Sequence, residues 1–216
     1  SGNYDESLQI CIEDAGKNNW YVISDTSYKG YTKYPRYIMA GYNVMAEEII
    51  DQIKDRPLPT HVFLQGGVGS FPGAICGYFW ERFPGNNIKF VVVESEHAPC
   101  LIRSAQNNQM TSVNIKQETM MAGLSCGEPS LLGWEILRSG ADDFITINDS
   151  SIPGLMRLLA KNNLKIEAGE SSVAGLAGLI ESMEDQKIAK AMGLNKESIV
   201  LLFGTEGATD PEIYRS

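Results

Sequence analysis

The stretch Gln65-Gly66-Gly67-Val68-Gly69-Ser70 has the residue types and spacing of an anion site. It follows a short run of strand formers, Val62-Phe63-Leu64. Apolar residues then return at helical spacing at Ile75, Tyr78, Phe79 and Phe83, with Trp80 alongside. A buried strand, a glycine turn and a helix start aim unpaired backbone N–H groups and the positive helix end at one spot, which suits a phosphate. Glycine lets the backbone approach a phosphate where a Cβ would clash. The spacing is neither the G-x-G-x-x-G dinucleotide fingerprint nor a P-loop with its Lys-Ser/Thr. Phosphate binding and a plain strand-to-helix turn therefore both remain open.

Other chemistry-bearing residues fall in loops after strand-like runs. Asp25 lies in Ser24-Asp25-Thr26-Ser27, after Trp20-Tyr21-Val22-Ile23, which reads as a short strand. Glu94 ends the apolar run KFVVVE (89–94). Thr205 follows IVLLF (199–203). In a parallel sheet such loops converge on one edge. Their contents suit a cofactor of the pyridoxal phosphate kind: donors from Gly66, Gly67, Val68 and Gly69, a hydroxyl from Thr205 for a pyridine nitrogen, and a flat slot beside Ala122 and Gly123. A nucleotide or sugar-phosphate site could use the same parts. His61, at a strand start, and His97, in an acidic turn, read as structural, and no metal site is expected.

The elements that must position these residues alternate. Helices are expected over 4–18, from Pro35 to Ile53, from Ser70 onward, and over 98–107, 131–139, 151–161 (capped by Ser150 or Ser151), 173–183 and 186–193; strands over 62–64, 89–94, 143–148 and 199–203. The Tyr/Met face of the second helix (Tyr37, Ile38, Gly41, Tyr42, Met45) reads as core. Strand–helix alternation with continuous apolar strands predicts an α/β fold: a three-layer, mostly parallel sheet flanked by helices. The polar, proline-bearing stretch 54–59 suggests a boundary, giving a part at 1–57 and a larger one at 58–216.

A net charge of −9 without a Lys/Arg cluster argues against nucleic-acid or anionic-membrane partners. No apolar run approaches the ~18 residues of a membrane span. Cys11, Cys76, Cys100 and Cys126 form no C-x-x-C pair and read as buried free thiols of a reducing cytoplasm.

Four runs, DTSYKGYTKYPRYIMAGY (25–42), PTHVFLQGGVGS (59–70), MAGLSCGEPSLLGWEILR (121–138) and TEGATDPEIYR (205–215), resemble the diaminopropionate ammonia-lyases. These are pyridoxal phosphate enzymes of the tryptophan-synthase-β, type II fold. The resemblance implies α,β-elimination of 2,3-diaminopropionate with water to pyruvate and two ammonia. It implies a phosphate loop at Gly66–Ser70, with glycine where the family has alanine, Thr205 facing the pyridine nitrogen, Asp25 contacting the amino-acid substrate, and a homodimer. Glu94 matches a strand-end acid of the family, or is only a polar residue at the sheet edge. Gly169-Glu170-Ser171-Ser172 resembles the family's GESGA, with an extra serine and no role assigned. The family's Schiff-base lysine has no counterpart here, since none of the eleven lysines lies in its context. The expectation is therefore a C-terminal portion, inactive by itself, whose N-terminal half is a possible separate chain. The rival readings are a non-catalytic binding module and another type II amino-acid deaminase; the run Gly123–Ser130 argues against the latter.

Overall fold

The computed structural model describes residues 4–161 and 165–208. Its centre is a four-stranded sheet in the order β3-β2-β1-β4, with β1 His61–Gln65, β2 Lys89–Ser95, β3 Asp143–Ile147 and β4 Val200–Leu202. Every pairing is parallel; Val62 sits opposite Phe90 and Leu201, and Val93 opposite Ile145. The three-layer parallel α/β fold expected from the alternation is the fold found.

The strand periodicity explains the layers. Val62, Leu64, Phe90 and Val92 project to one face. There they pack with helices α2 (Lys33–Ile53), α3 (Ser70–Arg82), α4 (Cys100–Asn107) and α5 (Leu131–Gly140) through Ile50, Ile75, Phe79, Leu101 and Leu137. Phe63, Val91 and Val93 project to the other, against α6 (Ile152–Lys161), α7 (Ala174–Glu184) and α8 (Gln186–Met192) through Ile152, Ala174, Ala177 and Met192. A central strand buried on both faces carries apolar side chains toward both, which is why these runs lack alternation.

Several local expectations are corrected. The first helix, α1, does span Tyr4–Asn18. Residues 20–23 form no strand: Trp20, Tyr21 and Ile23 are 66%, 84% and 73% exposed. Their β propensity has no neighbouring strand to pair with. The local backbone is tied instead by Tyr31, whose hydroxyl donates to the Val22 carbonyl and accepts from the Ser24 N–H. The turn before α6 is capped by Asn148, whose side chain accepts from the Ser150 N–H, rather than by Ser150 or Ser151. Along α2, Met39 is buried and Met45 packs on the core, but Tyr37 is 64% exposed and Tyr42 lines a cavity. His61 is structural, bonded to Thr60 Oγ1 and to the Met192 carbonyl. Of the four thiols Cys11 is exposed, because α1 lies at the surface with only Ala15 buried.

Candidate cofactor site

β2 follows β1 on one side of it and β4 lies on the other, so β1 marks a topological switch point. Crevices form at the carboxyl ends of strands there. A cavity of about 400 Å³ opens at this place. It brings together Asp25, Gly67, Val68, Gly69, Ser70, Ala122, Gly123 and Thr205 from four segments of the chain.

The glycine turn is held by its carbonyls. The Gly67 carbonyl accepts from Cys100 Sγ (3.5 Å), the Val68 carbonyl from the Ser130 N–H (2.7 Å) and the Gly69 carbonyl from the Gly73 N–H (3.0 Å). In a trans peptide the following N–H points opposite its carbonyl, so the N–H groups of Gly69 and Ser70 face away from these anchors. Gly69 precedes α3 with φ +95°, a left-handed conformation that glycine adopts without strain. Among the described residues, the N–H groups of Gly67, Gly69, Ser70 and Phe71 have no protein acceptor. The Val68 N–H lies against the Cys126 sulfur. Gly66 plays a different part from the one expected: its N–H donates to the Val93 carbonyl (2.8 Å), and it does not line the cavity. At Gly67 the space is taken, since a Cβ would stand 3.0 Å from the Gly123 carbonyl oxygen and 3.3 Å from Cys126 Sγ. Free N–H groups at the positive end of a 13-residue helix, in a cavity wall with no side chain at Gly67 and Gly69, fit a phosphate.

The 24–27 loop is tied to the same turn. Ser70 Oγ donates to the Asp25 carbonyl (2.6 Å). Ser27 starts α5: its carbonyl accepts from the Leu131 N–H and its Oγ from the Leu132 N–H (both 2.8 Å). Asp25 is thereby placed at the cavity wall, where burial raises its carboxyl above the usual range and hydrogen bonds, including one from Tyr4, pull it back only in part. Opposite, Gly123 donates its N–H to Ser171 Oγ (3.2 Å), which joins the small-residue slot to the 169–173 turn.

Lining residues given no role from the sequence include Tyr4, Tyr42, Cys126, Ser171 and Glu206, and Gln65, read only as the start of the glycine stretch, lines the cavity as well. Gln65 donates from Nε2 to Thr205 Oγ1 (2.8 Å), while its Oε1 is buried without a partner. Glu206 accepts the Ser171 N–H at Oε2 (2.8 Å), tying the segment after β4 to the turn before α7. Glu94 is not at the cavity. It is fully buried and accepts the N–H groups of Leu101 and Ile102 (both 2.7 Å), so it caps α4. All eleven lysines are among the described residues, and none lines the cavity. No group of metal-ligating side chains occurs among the described residues.

Comparison with known proteins fits this geometry. Residues 1–204 match the family of pyridoxal-phosphate dependent enzymes. The chain belongs to this family. Its cofactor is thus pyridoxal phosphate, and the unpartnered N–H groups above are the part of the structure that fits its phosphate. The chain is 38% identical over 99% of its length to diaminopropionate ammonia-lyase of Escherichia coli K12, and 37% identical over 98% to that of Salmonella typhimurium, covering 55% of each relative. It spans about half the length of the curated relatives it matches. A crystal structure of the Escherichia coli enzyme with an aminoacrylate–pyridoxal phosphate intermediate superimposes with a TM-score of 0.90, over 99% of this chain and 56% of that one. A maize serine racemase structure shares the fold at 17% identity, with a TM-score of 0.74. No helix among the described residues is long and apolar enough to cross a membrane.

Proposed function

We propose that this chain forms the cofactor-phosphate side of a pyridoxal phosphate-dependent ammonia-lyase. Its substrate is 2,3-diaminopropionate, converted with water to pyruvate and two ammonia by α,β-elimination. The observation that supports this most is the placement of Asp25. Ser70, at the end of the phosphate turn, holds the Asp25 backbone, so a carboxylate stands on the same wall as the phosphate donors. A carboxylate there suits a substrate with a second ammonium group.

When bound, pyridoxal phosphate supplies an electron sink for a carbanion at the substrate's Cα. The chain's own residues do the rest of the binding. Gly67, Gly69, Ser70 and Phe71 present N–H groups to the phosphate. Thr205 offers a hydroxyl to the pyridine nitrogen. Ala122 and Gly123 leave room for the flat ring, and Asp25 orients the β-amino group. In this reading residues 1–57 close one side of the cavity through Tyr4, Asp25 and Tyr42, and 58–216 carry the phosphate turn. The amine that anchors the cofactor and the base at Cα come from polypeptide outside this sequence, and the assembly is a homodimer.

The test uses a ligand that needs no lysine: the reduced phosphopyridoxyl adduct of 2,3-diaminopropionate, with the alanine adduct as comparison. The chain binds the diaminopropionate adduct more tightly, and Asp25→Asn removes the difference. Equal affinities in the wild-type chain reject diaminopropionate as the substrate. No binding of either adduct rejects the cofactor site. Pyruvate release from 2,3-diaminopropionate by this chain with pyridoxal phosphate alone would show that an outside lysine is not needed.

A further inference from the structure

The orientation of one buried amide fixes which way a hydroxyl in the cavity donates. Gln65 ends β1 and is 4% exposed. Its Nε2 lies 3.1 Å from the Phe203 carbonyl oxygen and 2.8 Å from Thr205 Oγ1. A carbonyl oxygen only accepts, so Phe203 determines which end of the amide faces the exit of β4. The second hydrogen on Nε2 then goes to Thr205, whose Oγ is the acceptor. A hydroxyl has one proton, and Gln65 does not take it. That proton is free for a donor bond into the cavity that Thr205 lines.

We infer that Gln65 is a positioning residue: its amide makes the Thr205 hydroxyl a donor toward the cofactor and so holds the pyridine nitrogen as an unprotonated acceptor. This rests on the cofactor site proposed above and names what sets its protonation state. With an acceptor at residue 65, the Thr205 proton would turn toward it. The ring would then meet a lone pair, which favours a protonated nitrogen. The ionisable groups lining the cavity are Tyr4, Asp25, Tyr42, Cys126 and Glu206. Glu206, next to Thr205, is the competing acceptor for a ring proton, although its Oε2 already takes the Ser171 N–H.

The test is nitrogen NMR of pyridoxamine 5′-phosphate labelled at the ring nitrogen and bound to the full chain, with phosphorus NMR to show that the phosphate is seated. The wild-type chain holds an unprotonated, hydrogen-bonded nitrogen. Gln65→Glu raises the protonated fraction at the same pH by about tenfold. Gln65→Met, which removes the donor without adding a charge and serves if the glutamate variant does not fold, raises it by less. Glu206→Gln keeps the wild-type signal. A protonated nitrogen in the wild-type chain overturns the inference, as do Gln65→Glu and Gln65→Met with wild-type signals. A protonated fraction lowered by Glu206→Gln assigns the ring proton to Glu206 and overturns it as well. An unchanged phosphorus signal on mixing overturns the cofactor site and this inference with it.

Discussion

Gly133 in α5 backs directly onto Gly69 in the phosphate turn: a Cβ built on Gly133 would stand 2.5 Å from the Gly69 carbonyl oxygen. That oxygen already accepts the Gly73 N–H, and a Cβ on Gly73 would in turn stand 3.0 Å from the Gly133 Cα. The obstructing atoms are backbone, which cannot swing aside as a side chain can. Gly133→Ala must therefore move α5 away from α3 or turn the Gly69 peptide. Overpacking of this kind costs about 1–3 kcal/mol, and the Gly69 and Ser70 N–H groups lose their aim. The expected result is a lower midpoint of thermal unfolding together with an affinity for pyridoxamine 5′-phosphate reduced by about tenfold or more. A titration followed by phosphorus NMR checks this. Wild-type affinity in the variant would mean that α5 does not set the turn.

Glu94 combines complete burial with two backbone partners. Pro99 precedes α4 and offers no side-chain cap, so Glu94 serves the Leu101 and Ile102 N–H groups from the neighbouring strand. Burial pushes its carboxyl up to about 8, with the two N–H bonds pulling the other way. The folded chain thus holds a proton that the unfolded chain releases near the ordinary value of 4.5. Between about 4.5 and about 8 the folded state binds more protons, so stability falls as pH rises through that window. Glu94→Gln puts an amide donor against one N–H and costs about 1–3 kcal/mol at the acid end of the window. It also flattens this part of the pH dependence. Urea unfolding of both chains at the two ends of the window measures the difference; parallel pH profiles would sink the account.

What could be read in advance follows from how local the physics is. The strands were legible because β1 and β2 are buried on both faces, and a continuous apolar run has few other meanings. The glycine turn was legible as a strand-to-helix turn because glycines between a strand and a helix are a local pattern. Residues 20–23 show the reverse: strand-forming side chains without a partner strand stay in an exposed loop. Gln65 was illegible as a positioning residue because its partners, Phe203 and Thr205, come from the other end of the chain. Glu94 looked like a strand-end acid, and only its contact with α4 shows what it holds. Gly66 looked equivalent to Gly67 and Gly69, but sheet pairing with Val93 takes its N–H.

The four thiols differ in a way that alkylation can read. Burial pushes Cys76 and Cys126 up to about 12 and Cys100 well above its usual value, whereas Cys11 is exposed on α1. The thiolate is the reactive form, so the buried thiols are unreactive at neutral pH. Iodoacetamide is expected to modify one site rapidly in the native chain, as counted by intact mass, and Cys11→Ser to abolish that adduct. Rapid modification of Cys100 or Cys126 would show that the wall behind the phosphate turn opens in solution.

Asp25 carries the most direct functional prediction. Its carboxyl is raised by burial, and the nearest side-chain donor, the Tyr4 hydroxyl, is a long 3.5 Å from Oδ1 and bonds more closely to Thr26 Oγ1 at 2.8 Å. The backbone N–H groups of Asp25 and Thr26 also serve the carboxylate, but among the described residues no Lys or Arg lines the cavity, so an ammonium group adds a charge-assisted bond. Attraction for an ammonium group requires the ionised form, so affinity for the diaminopropionate adduct falls as pH drops through the raised pKa, starting at higher pH than for an ordinary aspartate. Asp25→Asn removes both the charge and this pH dependence. A hydrogen bond to a charged group contributes about 1.5–3 kcal/mol, or roughly ten- to hundredfold in affinity. Binding of the alanine adduct, which has no second ammonium group, changes little in the same variant. Calorimetric titration of both adducts across the acid range separates the effects: a loss shared equally by the two adducts would make Asp25 a structural residue of the 24–27 loop instead of a substrate contact.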